Sequence, residues 1–223
     1  MTGSPTRNER VYADVRTAIL TGRLRPGQQL PFAEMRREFA TSVGVLRETL
    51  TRLSAEGLVR SQPKIGFSVL PLDLVDFKNL TDASAGVESL IVQESVRCGD
   101  LDWESSVIAT HHRLARTPAG PEEATGHYPR EWVLAHSEFH RALLAGCPNA
   151  RLRSLGERLR DINELYWCWA KPFKPDVQET LAAEHAVLRD LVLARDAQQA
   201  GDLLKRHISR GSQTELYDVS APR

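Results

Sequence analysis

The stretch SVGVLRETLTRLSAEGLV, residues 42–59, decides the architecture. Its residues Leu46, Leu50 and Leu53 recur at i, i+4 and i+7, which is one face of an α-helix. Ser42 suits the N-cap, where its hydroxyl can accept from a helix-start amide, and Gly57 supplies the glycine that ends the helix. Upstream, Val11, Val15, Ala18 and Ile19 mark a first helix over 8–21, stopped by Thr21-Gly22 and the turn residues Arg25-Pro26-Gly27. Pro31 opens a short second helix from about Phe32 to Phe39, with Met35 and Phe39 facing inward, and Ala40-Thr41-Ser42 make a turn. Downstream, the apolar runs Leu58-Val59 and Phe67–Leu70 flank residues 61–66, whose Pro63 and Gly66 suit a hairpin. Helix, helix, turn, helix and a two-stranded wing is a winged helix-turn-helix, an arrangement that sets its third helix in the DNA major groove.

The charge pattern agrees. The 223 residues carry 29 Lys+Arg against 29 Asp+Glu, yet residues 1–70 hold 11 basic and 6 acidic side chains and the remainder the opposite excess. A net +5 over the first third suits contact with phosphate, although charge alone also describes a solvated helical face. Arg47, one turn into the third helix, can reach a guanine edge or a phosphate, and Arg37 adds a cation on the helix before it. Ser42 and Gly44 allow close backbone approach at the helix start, while Lys64 and Gly66 sit at the wing tip, where a cation and a small residue can enter a narrow groove. The DNA-facing set is therefore Arg37, Ser42, Gly44, Arg47, Lys64 and Gly66.

Composition excludes several classes. At 41% hydrophobic and 26% charged the chain is globular; no apolar run approaches the ~18–20 residues that span a bilayer, and Met1 to Arg10 lacks an apolar signal core. A cytoplasmic protein without membrane association is expected. Cys98, Cys147 and Cys168 are odd in number and irregularly spaced, which argues against a disulfide framework or a CxxC metal site.

From Asp73 onward the pattern is of successive amphipathic helices, broken at Cys98-Gly99-Asp100, Thr117–Pro121, Gly146-Cys147-Pro148 and Lys171–Pro175. The expected fold is mostly α: a DNA-binding domain over 1–70 and an all-helical bundle over 71–223 that also carries dimerisation, joined at Pro71-Leu72-Asp73. Histidines are the informative residues of the second part. Trp132, His136, Phe139, His140 and Leu143 share one helical face, His185 runs in register with Leu181, Leu188 and Val192, and His207 with Leu204 and Gly211. A single inward histidine is most often a hydrogen-bonded core residue, but two imidazoles one turn apart can chelate an ion, and facing helices can complete its shell. His111 and His112 lie at the edge of an apolar face, as further pocket residues or as structural ones. Asn163, Tyr166, Trp167 and Trp169 form an aromatic-polar cluster after the helix containing Arg158 and Arg160; effector cavity (Asn163 and Tyr166 foremost), core and dimer contact are all open to it.

The segments 19–27, 46–50 and 53–59 closely resemble the GntR family of bacterial transcription regulators over about residues 8–70. Val43 stands where that family usually has an arginine, and Val45 where it often has proline. Residues 131–149, with Phe139-His140 and Pro148-Asn149, together with Glu184-His185 and Arg206-His207-Ile208, resemble the FCD effector domain of the FadR-like branch. That resemblance implies a divalent metal held by His140, His185 and His207, with His136 in the place of the usual aspartate. Replacing a carboxylate with imidazole softens the site and favours Zn²⁺ or Ni²⁺. Four neutral ligands leave the metal its full charge, which a small carboxylate effector could meet. The arginine usual four residues before Glu88 is Ser84 here, so the usual carboxylate clamp is either absent or supplied from elsewhere. Residues 99–104 and 111–114 resemble a subgroup that includes regulators of short dicarboxylic acids.

The expected function is a ligand-responsive regulator, a repressor by the commoner outcome in the family, that binds double-stranded operator DNA as a homodimer and is not an enzyme. The competing reading is a metal-dependent hydrolase built on the His-x-x-x-His pair, but Ser137 follows His136 where such enzymes carry a general-base glutamate. A metal-free scaffold of packed histidines is the third reading.

Overall fold

The computed structural model describes residues 6–120, 128–211 and 215–216. They form two compact units that meet in the chain between Asp73 and Leu74.

In the N-terminal unit, α1 (Arg7–Leu20) starts at a capping box in which Thr6 and Glu9 satisfy each other's backbone amides. Helix α2 (Phe32–Glu38) follows Pro31, and α3 (Val43–Ala55) is capped by the Ser42 hydroxyl accepting from the Val45 amide at 3.3 Å. Gly57, at φ +86°, takes the left-handed conformation just beyond the helix end. Strands β1 (Val59–Gln62) and β2 (Gly66–Val69) pair antiparallel from Val59↔Val69 to Gln62↔Gly66. Val15, Ile19, Leu30, Leu46, Leu50, Leu53, Leu58 and Val69 are buried together as the core. Phe39 was expected inside; it is only half-buried, closing α2 as its C-cap with the Arg23 guanidinium 5.1 Å from its ring centroid.

The C-terminal unit is helical: α4 (Leu74–Cys98), α5 (Leu101–Arg116), α6 (Arg130–Ala145), α7 (Ala150–Cys168), α8 (Pro175–Leu193) and α9 (Ala197–Gly211). The first four breaks between these helices fall where Gly and Pro interrupt the pattern; Pro121 lies outside the described residues. The turn between α8 and α9 carries no such signal, because Arg195 itself adopts φ +59° and is held there by Val96 and Gly99 carbonyls at 2.9 and 2.8 Å. Helix α7 continues through Asn163, Tyr166 and Trp167 and is capped by Trp169, so the aromatic-polar cluster lies within the helix rather than after it. The core gathers Ile91, Val92, Val107, Phe139, Leu143, Leu188, Val192 and Leu204. Long α4 lies against α9, where the Ser89 hydroxyl donates to the Gly201 carbonyl at 2.9 Å and Gly201 leaves room for the Gln93 side chain. Among the described residues no helix is long and apolar enough to cross a membrane.

Trp103 locks the turn between α4 and α5, its indole N–H donating to the Ala142 carbonyl at 2.8 Å. A Cβ at Gly99 would stand 2.0 Å from the Trp103 ring and 2.7 Å from the Ser95 carbonyl. Gly99→Ala is expected to lower stability by ~1–3 kcal/mol, seen in thermal unfolding as a midpoint ~3–10 °C lower. A midpoint within a degree of the parent would contradict this packing.

Candidate functional site

Helices α6, α8 and α9 turn His136, His140, His185 and His207 toward one another, all four buried. One nitrogen from each can be chosen so that all lie within 4.8 Å of one another. The i, i+4 pair comes from a single turn of α6, and the other two rings from facing helices, with His185 Nε2 3.0 Å from His207 Nε2. Nδ1 of His207 lies 2.9 Å from Glu184 Oε2. A carboxylate can only accept, so the proton of neutral His207 sits on Nδ1 and its Nε2 offers a lone pair to the cluster. Burial holds all four imidazoles below their ordinary range, furthest for His136, His140 and His185, while Glu184 opposes the effect at His207.

Two observations bear on whether these residues suit a metal. His140 is buried with neither ring nitrogen hydrogen-bonded among the described residues, an expensive arrangement for a group with nothing to ligate. Four nitrogens at ~2.0–2.1 Å from a tetrahedral zinc stand about 3.4 Å apart, and here one pair lies at 3.0 Å and all four within 4.8 Å. Neutral, lone-pair-bearing imidazoles with a carboxylate behind one of them form a donor set that fits Zn²⁺ or Ni²⁺.

The four histidines line a cavity of about 270 Å³ bordered by α4 to α9. His111 lines it, its Nδ1 3.2 Å from Arg189 Nη1, whereas neighbouring His112 is exposed. Asn163 lines it as well and donates to the Ser84 hydroxyl at 2.8 Å. Tyr166 is a correction: it is not among the lining residues, since its ring stacks on Phe77 at 4.7 Å and its hydroxyl donates to Asp76 at 2.7 Å. Trp167, one turn beyond Asn163, faces the cavity instead. Arg160 was missed as a site residue although Gly156, Arg160, Asn163 and Trp167 follow helical spacing on one face of α7. It is buried against Glu88, with Nη1 to Oε2 at 3.4 Å, and burial pushes the Glu88 carboxyl above its usual range while the Arg160 charge opposes it.

In the N-terminal unit, Arg37, Ser42, Gly44, Arg47 and Lys64 are exposed and Gly66 is half-buried. Arg47 lies 5.1 Å from the Phe32 ring centroid, a contact that can orient a guanidinium. The Ser42 hydroxyl is occupied by its capping role. Lys64 and Gly66 take φ +67° and +104°, so both serve the hairpin turn as well as the wing tip. Val43, at the first position of α3, and Ile65, on the wing, are exposed apolar residues in this otherwise basic unit.

No hydrolytic base stands at the cluster on α6. The Ser137 hydroxyl donates to Glu164 at 3.0 Å, and Glu138 is exposed and paired with Arg113.

Residues 7–69 match the family model described as bacterial regulatory proteins, gntR family, and residues 79–210 match the FCD domain. The chain is 32% identical over 207 residues to BphR of Paraburkholderia xenovorans, described as an uncharacterized HTH-type transcriptional regulator, covering 90% of this chain and 81% of that one. It is 30% identical over 200 residues to the HTH-type transcriptional repressor GlaR of Escherichia coli, covering 88% and 90%. The matched families and relatives are regulators, not enzymes. Among solved structures, E. coli McbR/YncC superposes with a TM-score of 0.74 at 15% identity over 93% of this chain and 96% of that one. A GntR-type putative regulator from Rhodococcus sp. RHA1 reaches 0.70 at 21% over 94% and 97%. At these identities the structural likeness speaks for the fold alone.

Zinc-reconstituted protein is expected to retain about one equivalent of metal per chain by elemental analysis, because folded-state ligands are already neutral and gathered. His140→Ala should reduce this to a small fraction. Chelation should lower the unfolding midpoint by ~5–10 °C if zinc stands ~100-fold above its dissociation constant. Less than about half an equivalent in the parent would favour packed histidines without metal.

Proposed function

We propose, for a chain that belongs to the GntR family of bacterial regulatory proteins and carries an FCD domain, a ligand-responsive repressor that binds operator DNA as a homodimer. Its effector is a small carboxylate, received at a pocket that holds Zn²⁺ or Ni²⁺ on His136, His140, His185 and His207. The carrying observation is the convergence of four buried imidazoles in the lining of a cavity in a chain that also bears a winged helix-turn-helix. The name of the Escherichia coli relative supports repression as the sign of control.

On this reading α3 lies in the major groove with Arg47 toward base edges or phosphate, while Arg37 and Lys64 reach the backbone. Two copies would read half-sites about 34–36 Å apart. A bound divalent ion would supply undiminished positive charge that attracts a carboxylate. The protein's own part is to keep the four imidazoles neutral, to fix the His207 tautomer through Glu184, and to exclude water with the aromatic wall. Effector binding alters operator affinity only by favouring one of two arrangements of the protein, and DNA binding must weaken effector binding by the same factor.

Gel retardation with DNA upstream of the protein's own gene should show specific binding at low salt. Arg47→Ala should weaken it by ~10-fold or more, as expected for loss of a guanidinium contact to a base edge. Val43→Arg should tighten binding and steepen the salt dependence by about one charge. Absence of retardation at low salt would sink the reading.

A further inference from the structure

Helix α7 sends a permanent cation into the cavity. Arg160 is 4% exposed, and among the described residues lining the cavity no other side chain is a lysine, arginine, aspartate or glutamate. Its hydrogen bonding is incomplete. A guanidinium carries five N–H donors and typically meets a carboxylate with two short parallel bonds. Here one Nη1 contact reaches Glu88 at 3.4 Å, and neither Arg160 Nε nor Glu88 Oε1 has a hydrogen-bond partner among the described residues. Asn163, one turn along α7, lies on the same lining and donates to the Ser84 hydroxyl at 2.8 Å.

The rest of the wall is of a different kind. Trp132 stacks on His136 at 4.9 Å and on Tyr128 at 4.5 Å, and Trp167 packs edge-on against both Tyr128 and Phe173 at 5.9 Å. With Phe77, Leu114, Leu181 and Ile208 these rings make a largely apolar chamber that begins at the histidines. Arg160 lines the same cavity as the four imidazoles and its charge acts on each of them, while the Trp132 and Trp167 rings border this group at His136, 4.9 and 5.7 Å away. A cavity of about 270 Å³ is at the small end of ligand sites.

We propose that Arg160 is the carboxylate anchor of this cavity and that its ligand is a monocarboxylate with a flat, largely apolar body. The carboxylate meets the open donors of Arg160, assisted by the Asn163 amide, on the side facing the histidines. The body lies between Trp132, Trp167 and Phe173. A second carboxylate on that body would be desolvated among aromatic rings without a cation, which disfavours short dicarboxylates. Anion binding also completes the hydrogen bonding of a guanidinium that Glu88 satisfies only in part. This inference rests on the carboxylate-effector reading above and specifies which residue and which class of acid serve it.

The test is calorimetric titration of zinc-loaded, full-length protein with 3-phenylpropionate, its neutral amide, and glutarate. The expected order is 3-phenylpropionate at least about tenfold tighter than either of the others. Arg160→Met alone would strand the buried Glu88 carboxylate, so the charge is removed as the pair Glu88→Gln with Arg160→Met. That variant should lose about 10- to 100-fold in affinity for 3-phenylpropionate while keeping its zinc content and its retardation of DNA. Arg160→Lys, which retains the buried charge but not the fork, should lose about fivefold or more and gives a second probe if the pair folds poorly. Tighter binding of glutarate, or variants within twofold of the parent, overturns the proposal and leaves the carboxylate-effector reading standing. No carboxylate binding by the zinc-loaded parent overturns both.

Discussion

Moving an imidazole, a guanidinium or a carboxylate from water into a helical bundle costs several kcal/mol unless its hydrogen bonds are recovered inside, and the C-terminal unit is arranged around that demand. Helix α4 carries Ser84 and Glu88 one turn apart, facing Asn163 and Arg160 on α7, so two polar turns meet two polar turns across an apolar contact. Glu184 on α8 takes the His207 N–H from α9, and Arg210 takes the other carboxylate oxygen. Among the described residues, both nitrogens of His140, the Nε of Arg160 and one oxygen of Glu88 are left incomplete around the cavity. These open groups place hydrogen-bonding capacity where a ligand can meet it.

The aromatic wall answers the opposite requirement. Interactions between charged or polar groups strengthen as water is excluded, and Tyr128, Trp132, Trp167 and Phe173 exclude it while offering faces and edges to a flat ligand. His136 belongs to both regions, stacked on Trp132 and 4.5 Å from the His140 ring. A carboxylate at this position would have brought a negative charge beside an aromatic face; a neutral imidazole stacks there without that penalty. The histidine that departs from the family pattern is therefore compatible with its surroundings.

In the N-terminal unit the constraint is steric rather than polar. The short core of Val15, Ile19, Leu46, Leu50 and Leu53 sets the orientation of α3, leaving its first turn and the wing tip exposed. Val43 and Ile65 are exposed apolar side chains on this surface, so the proposed DNA-facing set offers few cations, Arg37, Arg47 and Lys64.

Periodicity alone was enough to place the helices, the wing and the inward faces of His136, His140, His185 and His207, because a helix or strand imposes its spacing on its own residues. It could not find the turn at Arg195, where a non-glycine residue takes a left-handed conformation supported by carbonyls about a hundred positions earlier. It brought Tyr166 to the cavity and overlooked Arg160, since both lie on α7 and only the rotation of that helix against α4 decides which one faces in. Local pattern determines which side of a helix is buried; which buried side chains then meet across helices depends on packing angle and register, and that was decided by the tertiary structure.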